Sequence, residues 1–325
     1  MISAIPPPYA APRWLPGGHA QTIYAALAAP RPAVTYRRER WDTPDGDFID
    51  LDWLDGSLLP PRSPLVVLFH GLEGGSRSHY ALALMAALQR TAWCGVVVHF
   101  RGCSGEPNRL PRAYHSGDSR EIDWVLRRLK AQRPGAPLHA VGVSLGGNAL
   151  LKWLGERRHD ATGILQSAAA VSAPMDLMAA GDALGSGFNL IYARHFLTTM
   201  KRKSLAKLNF FPDLFNRERV MASRTLREFD DLVTAPLHGY RNTDDYWTRA
   251  SSKPLLRHIA IPTLIINARN DPFLPQHALP QAHAAAAAVV LEFPATGGHA
   301  GFVAGRFPGH LDWLPQRILG FFRTS

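Results

Sequence analysis

Leu138-His139-Ala140-Val141-Gly142-Val143, then Ser144, then Leu145-Gly146-Gly147-Asn148-Ala149-Leu150-Leu151, carries the strongest structural signal in the chain. The first six residues are a short apolar run of the kind a strand buried on both faces requires. Residues 146–156 read as a helix. Between them stands Gly-x-Ser-x-Gly, residues 142–146, with glycine on both sides of a turn too tight for neighbouring side chains. A serine in such a turn projects from the edge of a sheet. The N-terminal amides of the following helix face the same point. The competing reading makes Ser144 a helix cap and nothing more.

Farther out, apolar runs at residues 65–69, 95–99 and 168–171 flank this stretch, with 263–267 and 288–293 beyond them. Helical segments at 78–90 and 118–130 alternate with the first of these, and 310–322 closes the chain with another. Near-continuous apolar strands alternating with helices predict an α/β fold with a mostly parallel sheet covered on both faces. Ahead of it, residues 34–41 and the alternating Phe48-Ile49-Asp50-Leu51-Asp52-Trp53 flank Pro44-Asp45-Gly46-Asp47, a hairpin signature. The alternation breaks once. Residues 176–253 hold only helical or irregular patterns, and 192–207 are aromatic and apolar on one side and basic on the other. This predicts a helical lid insertion at about 176–253 over the strands' carboxyl ends. It leaves one domain with core segments at about 30–175 and 254–325 and an N-terminal extension over 1–29. The alanine run 284–288 is expected to end an ordinary helix leading into the last strand.

The 325 residues are 46% hydrophobic and 19% charged, a globular composition long enough for a large buried core. No apolar run approaches the roughly 18 residues of a membrane span. Residues 1–16 are rich in proline and lack the basic and apolar regions of a secretory signal. Cys94 and Cys103 supply no disulfide framework; Cys94 opens an apolar strand, and Cys103 sits in the loop 101–105. Cytoplasmic residence is the expectation. A formal charge of +10 points toward nucleic acid or anionic lipid only if the basic residues cluster. They are dispersed, with no stripe interleaved with stacking aromatics, so a solvated arginine-rich surface and no nucleic-acid partner are predicted. One weaker option stays open, in which the basic, aromatic segment 192–207 rests on anionic lipid as a peripheral contact.

A serine hydroxyl barely ionises at neutral pH and needs a base. Among 14 histidines, His299 follows the last predicted strand, in Thr296-Gly297-Gly298-His299-Ala300-Gly301-Phe302. The glycines predict a flexible loop tip that presents the imidazole to Ser144. The base needs an acid to fix its tautomer. Asp271 follows a strand in Asn267-Ala268-Arg269-Asn270-Asp271-Pro272, and Asp176, which also follows a strand, is its rival. The chain order Ser144, Asp271, His299 favours Asp271. A carbonyl that turns negative in the transition state needs donors already in place. The turn Phe69-His70-Gly71-Leu72-Glu73-Gly74-Gly75 follows a strand, and the backbone N–H groups of Leu72 and Leu145 are the predicted oxyanion donors, with His70 anchoring the loop. Phe196, Phe210 and Phe211 are candidates either for apolar surface around an acyl chain or for the core of the lid. There is no His-Glu-x-x-His, no zinc-spaced Cys/His cluster, no P-loop and no Rossmann glycine fingerprint, so no metal or cofactor is expected.

Several motifs together resemble the YheT-like branch of the α/β-hydrolases. They are Trp14-Leu15-Pro16-Gly17-Gly18-His19-Ala20-Gln21-Thr22, His70-Gly71-Leu72-Glu73-Gly74 and Phe100-Arg101-Gly102-Cys103-Ser104-Gly105-Glu106-Pro107. Tyr114-His115-Ser116-Gly117 and the Ser144 turn through Asn148 continue the likeness. Asp244-Asp245-Tyr246, Asn270-Asp271-Pro272 and Gly298-His299-Ala300-Gly301-Phe302 carry it to the C-terminus. The resemblance implies the α/β-hydrolase fold and a carboxylesterase-like activity with Ser144, Asp271 and His299 as its triad. The expected substrate is a small-molecule ester with an apolar, short- to medium-chain acyl group, cleaved through an acyl-enzyme. Thioesterase, lipase or acyltransferase chemistry on the same triad is one alternative. A non-catalytic binding protein on the hydrolase fold is another. Some relatives carry an N-terminal membrane anchor, which is not read in this sequence, so no transmembrane segment is expected. His99 departs from the family, which places asparagine before Phe-Arg-Gly, and implies altered hydrogen bonding near the site.

Overall fold

The computed structural model describes residues 6–54 and 60–325. Residues 1–5, part of the segment read as free of a secretory signal, lie outside the described residues. Helix α1 (Gly18–Leu27) precedes a hairpin of β1 (Tyr36–Asp42) and β2 (Phe48–Leu54). There follow β3 (Leu65–Phe69), α2 (His79–Thr91), β4 (Cys94–His99), α3 (Ser119–Gln132), β5 (Leu138–Val143), α4 (Leu145–Arg157) and β6 (Ser167–Val171). A run of helices comes next: α5 (Leu177–Leu184), α6 (Leu190–Lys207), α7 (Arg217–Ala222), α8 (Leu226–Phe229), α9 (Ala235–Leu237) and α10 (Thr243–Ala250). Then β7 (Thr263–Ile266), β8 (Val289–Glu292) and α11 (Trp313–Thr324) complete the chain.

The strands form one eight-stranded sheet in the order β1-β2-β4-β3-β5-β6-β7-β8. Strands β3 to β8 pair in parallel. The hairpin is not a separate unit: β2 pairs antiparallel with β4, Trp53 opposite Val96 and Asp50 opposite His99. Alternate residues of each strand serve opposite faces. Val67, Phe69, Ala140 and Ala170 pack with α3 and α4 through Val125, Leu129, Leu150 and Trp153. Val66, Leu68, Val141 and Val171 pack with α2 and α11 through Met85, Leu88, Ile318 and Phe322. Each fully buried valine, leucine, isoleucine, phenylalanine or methionine among them contributes roughly 1.5–3 kcal/mol of transfer free energy, and the alanines less. Two-sided burial is why these strands read as unbroken apolar runs.

Helix α1 lies within the stretch read only as an extension. Its buried residues are Gln21, Thr22 and Ala25, so no apolar period announces it. The helix expected before the last strand is absent. Short 3-10 turns at Gln276–Ala278 and Ala282–Ala284 replace it, and the rest of the alanine run is irregular. Pro272, Pro275 and Pro280 deny amide donors to this segment and push their predecessors out of the helical region. The helices α5 to α10 enter after β6 and leave before β7, and Lys253 N–H donates to Met175 C=O at 2.9 Å, joining the two ends of the excursion. No helix among the described residues is long and apolar enough to cross a membrane.

Candidate active site

The carboxyl ends of β3, β5, β6, β7 and β8 lead into the segments that carry the candidate residues. After β5, Ser144 takes φ 52° and ψ −121°, a conformation costly for any residue with a Cβ. Its strain is held from both sides. Ser144 N–H donates to Val171 C=O at 2.8 Å, and Gly146 N–H to His70 C=O at 3.1 Å. A Cβ at Gly146 would lie 2.4 Å from Phe69 O, so the helix reaches the β3 turn only because that residue is glycine.

His299 Nε2 lies 2.9 Å from Ser144 Oγ, and His299 Nδ1 lies 2.8 Å from Asp271 Oδ2. With the carboxylate accepting at Nδ1–H, Nε2 is left to accept from the serine hydroxyl. The second Asp271 oxygen accepts Phe273 N–H at 2.8 Å, and the Asp271 side chain is wholly buried. The Phe273 ring covers the imidazole at 4.2 Å between centroids. Asp176, the rival acid, is engaged elsewhere. It caps α5 by accepting Ala179 N–H and pairs with Lys253. The loop bearing His299 is pinned, in contrast to the free tip its glycines suggest. Ala300 N–H donates to Ser172 Oγ at 2.9 Å, Ala300 C=O accepts from His79 Nε2 at 2.8 Å, and residues of α1 take further amides.

Leu72 and Leu145 stand on either side of the serine, after β3 and at the start of α4. Every neighbouring amide has a partner. Gly71 N–H donates to Tyr80 Oη at 2.9 Å, Glu73 N–H to Tyr114 Oη at 2.8 Å and Gly74 N–H to Gly71 C=O at 3.0 Å. Among the described residues, no hydrogen bond takes the N–H of Leu72 or Leu145. Tyr80 and Tyr114 are thus parts of the site that the sequence reading missed. Tyr114 opens one of the motifs of the family likeness without a role assigned to it and Tyr80 stands in none, and neither context says that the hydroxyl meets a backbone amide of another element. His70 is buried with Nδ1 donating to Gly71 C=O at 2.7 Å and Nε2 accepting from Phe100 N–H at 3.1 Å. Burial lowers its pKa to about 3, so it is a neutral anchor for this turn.

A cavity of about 630 Å³ opens beside Ser144, Leu145 and Leu72. Leu177, Ala180, Leu184, Phe196, Met200 and Phe229, all from the helical excursion, supply much of its wall. Phe210 and Phe211 do not line it. Phe210 is 73% exposed, because both residues lie past the end of α6, in the turn that leaves the helix. Lys203 of α6 reaches back to Glu73 at 2.9 Å and lies 3.4 Å from Cys103 Sγ. Burial raises the Cys103 thiol to about 11, so it stays protonated at neutral pH. His99 bonds to Asp52 at 2.8 Å and to Cys103 C=O at 3.2 Å; it does not line the cavity and bonds no member of the triad.

A mostly parallel sheet with a strained serine after its fifth strand, and an imidazole and carboxylate on later loops, is the architecture of an α/β-hydrolase. The family model described as alpha/beta hydrolase fold matches residues 64–305. The chain is 40% identical over 308 residues to "Putative esterase YheT" of Escherichia coli strain K12, covering 94% of this chain and 90% of that one. It belongs to the YheT-like branch of the α/β-hydrolase family. Phospholipase ABHD3 of Mus musculus is 33% identical over 318 residues, 96% of this chain and 77% of its own length. Among solved structures, ferulic acid-bound Est1E from Butyrivibrio proteoclasticus superposes with a TM-score of 0.57. That match covers 88% of this chain and 98% of the other at 14% identity, a likeness of fold.

Proposed function

We propose that this chain is a serine ester hydrolase that works through an acyl-enzyme, with Ser144 as nucleophile, His299 as base and Asp271 as the acid that orients it. The observation that carries the reading is the unbroken relay from Asp271 Oδ2 through His299 to Ser144 Oγ, at 2.8 and 2.9 Å. In acylation His299 takes the serine proton as Oγ attacks the ester carbonyl. The resulting imidazolium is stabilised by Asp271 and then protonates the leaving alcohol. Water then attacks the acyl carbonyl while giving a proton to His299, the acyl–Oγ bond breaks to release the acid, and His299 returns the proton to Ser144 Oγ. In each half-reaction the N–H groups of Leu72 and Leu145 receive the oxyanion, which supplies the stabilisation only the transition state needs.

The substrate is a small-molecule ester with an apolar acyl chain of short to medium length. The cavity's 630 Å³ lies within the range of sites that bury small ligands, and its wall is dominated by aliphatic and aromatic side chains. The likeness to phospholipase ABHD3 favours a second reading on the same triad, in which the ester belongs to a phospholipid. Two free cysteines, Cys94 and Cys103, accord with a reducing, cytoplasmic setting. The test is hydrolysis of p-nitrophenyl esters of graded acyl length by wild type and Ser144→Ala. A fall in kcat of about 10³-fold or more is expected on mutation. An inactive wild type, or a mutant equal to it, defeats the esterase reading and leaves a binding protein on the hydrolase fold.

A further inference from the structure

The N-terminal motif Gly18-His19-Ala20-Gln21-Thr22 has no place in the chemistry described so far, yet it touches both loops that serve the serine. Three consecutive amides of the histidine loop each end on a side chain. Gly297 N–H donates to Gln21 Oε1 at 2.9 Å, Gly298 N–H to Asn270 Oδ1 at 3.1 Å and His299 N–H to Thr22 Oγ1 at 2.8 Å. The same Gln21 Oε1 also accepts Asn270 Nδ2–H at 3.0 Å, one residue from Asp271. Gln21 and Thr22 are themselves fixed: Gln21 Nε2 donates to Leu15 C=O at 2.9 Å, and Thr22 Oγ1 to Gly18 C=O at 2.8 Å. Both are buried, at 1% and 7% exposure. The backbones also interlock, since a Cβ at Gly18 would fall 1.9 Å from Asn270 O.

We infer that Gln21 and Thr22 are positioning residues that hold the base and the acid in one mutual geometry, a proposal that rests on the triad reading above. The histidine loop has reason to need such a hold. Ala300 and Phe302 take φ 51° and 45°, and a backbone of that kind persists only where its surroundings over-determine it. Gln21 touches both loops with one oxygen, so it couples their positions as well as fixing each. Thr22 acts on the peptide of His299 itself. Neither side chain bonds the imidazole, the carboxylate or the serine, so neither takes part in proton transfer.

The test compares Thr22→Val, Thr22→Ser and Gln21→Met with wild type and Ser144→Ala. Valine keeps threonine's shape and removes the acceptor, and serine restores it. Loss of the acceptor is expected to lower kcat by roughly 10- to 100-fold, the scale of about a 1 Å misplacement. KM should stay within about twofold, and Thr22→Ser should recover most of the loss. In parallel, the low-field proton resonance of the His299–Asp271 hydrogen bond should move or broaden in Thr22→Val and Gln21→Met and return in Thr22→Ser. Variants that match wild type in turnover while Ser144→Ala is dead overturn the positioning role and leave the triad standing. If wild type hydrolyses no ester, the triad reading fails. The resonance still decides the other question, because an unmoved signal in both variants overturns the hold. Should Thr22→Val not fold, Gln21→Met carries the same two measurements.

Discussion

The sheet and the helical excursion above it are held together by different means, and they do different jobs. Around Ser144 the constraints are backbone against backbone: Gly146 against Phe69 and His70, and the Ser144 amide on Val171. Such contacts have no rotamers to relax. The excursion instead has small hydrophobic clusters of its own, one of which includes Phe273 and Leu274 from the loop after Asp271. Its surface ion pairs, such as Arg227 with Asp182 and Asp244, join half-exposed side chains that contribute about 1 kcal/mol or less. At the serine turn the fixed geometry is built from peptide groups, whereas much of the cavity wall is built from exchangeable side chains of the excursion.

The largest expected effect lies in the core. Asp271→Asn keeps the acceptor for Phe273 N–H but donates to Nδ1 and so imposes the wrong imidazole tautomer. Its kcat should fall on the order of 10³- to 10⁴-fold with the melting temperature nearly unchanged. A fall below tenfold would show that another group orients His299. Next comes Gly146→Ala, whose methyl meets peptide oxygens at 2.4 and 2.5 Å. It should destabilise the protein by about 1–3 kcal/mol in chemical denaturation and abolish most turnover, because Ser144 must shift to admit it. Full activity would mean that the elbow yields, and the contrast with the excursion would collapse.

In the excursion, Ala180→Phe fills part of the cavity wall without touching the triad. It should shift the acyl-length profile toward shorter esters, lowering kcat/KM for the longest by about tenfold or more relative to the shortest. Equal loss across the panel would move the acyl chain elsewhere. The smallest effect is in the response to pH, and its sign differs between the regions. In the core, burial lowers His70 and His79 to about 3 and about 4. Between their unfolded value of roughly 6.5 and those values, the unfolded chain binds protons that the folded one refuses, so they erode stability as pH falls. In the excursion, burial raises Asp230 to about 6 while it accepts from Thr234 and Trp247. From about pH 4 to about pH 6 the unfolded chain has lost a proton that the folded one retains, so this group erodes stability as pH rises. The melting temperature of Asp230→Asn minus that of wild type should therefore grow between pH 4 and pH 6.5. A constant difference would mean that Asp230 titrates like an exposed carboxyl.

What could be read beforehand follows the same division. The parallel strands and the serine turn were legible because two-sided burial and a strained turn leave compositional marks, and the chain order of this fold pointed to the three side chains that meet, Ser144, Asp271 and His299. Helix α1 left no apolar period, since two of the three residues it buries are polar and the loop amides they accept lie more than 240 residues away. Tyr80 and Tyr114 were hidden for a related reason: a hydroxyl that serves a distant amide looks like any core tyrosine. The alanine run misled because its composition is helical while the prolines ahead of it decide the backbone. Phe210 and Phe211 misled because aromaticity does not say which side of a helix end faces water.

The bond between Thr22 and His299 spans 277 residues of chain. At the usual pace of about 5–20 residues per second, a ribosome makes the threonine roughly a quarter of a minute to a minute before the histidine it will hold. Helix α1 shares a hydrophobic cluster with Ala83 of α2, made early, but during that interval Gln21 and Thr22 lack the loop amides they will bind. The bonds that hold the histidine loop can form only once nearly all of the chain has appeared, so the geometry around Ser144 is completed late.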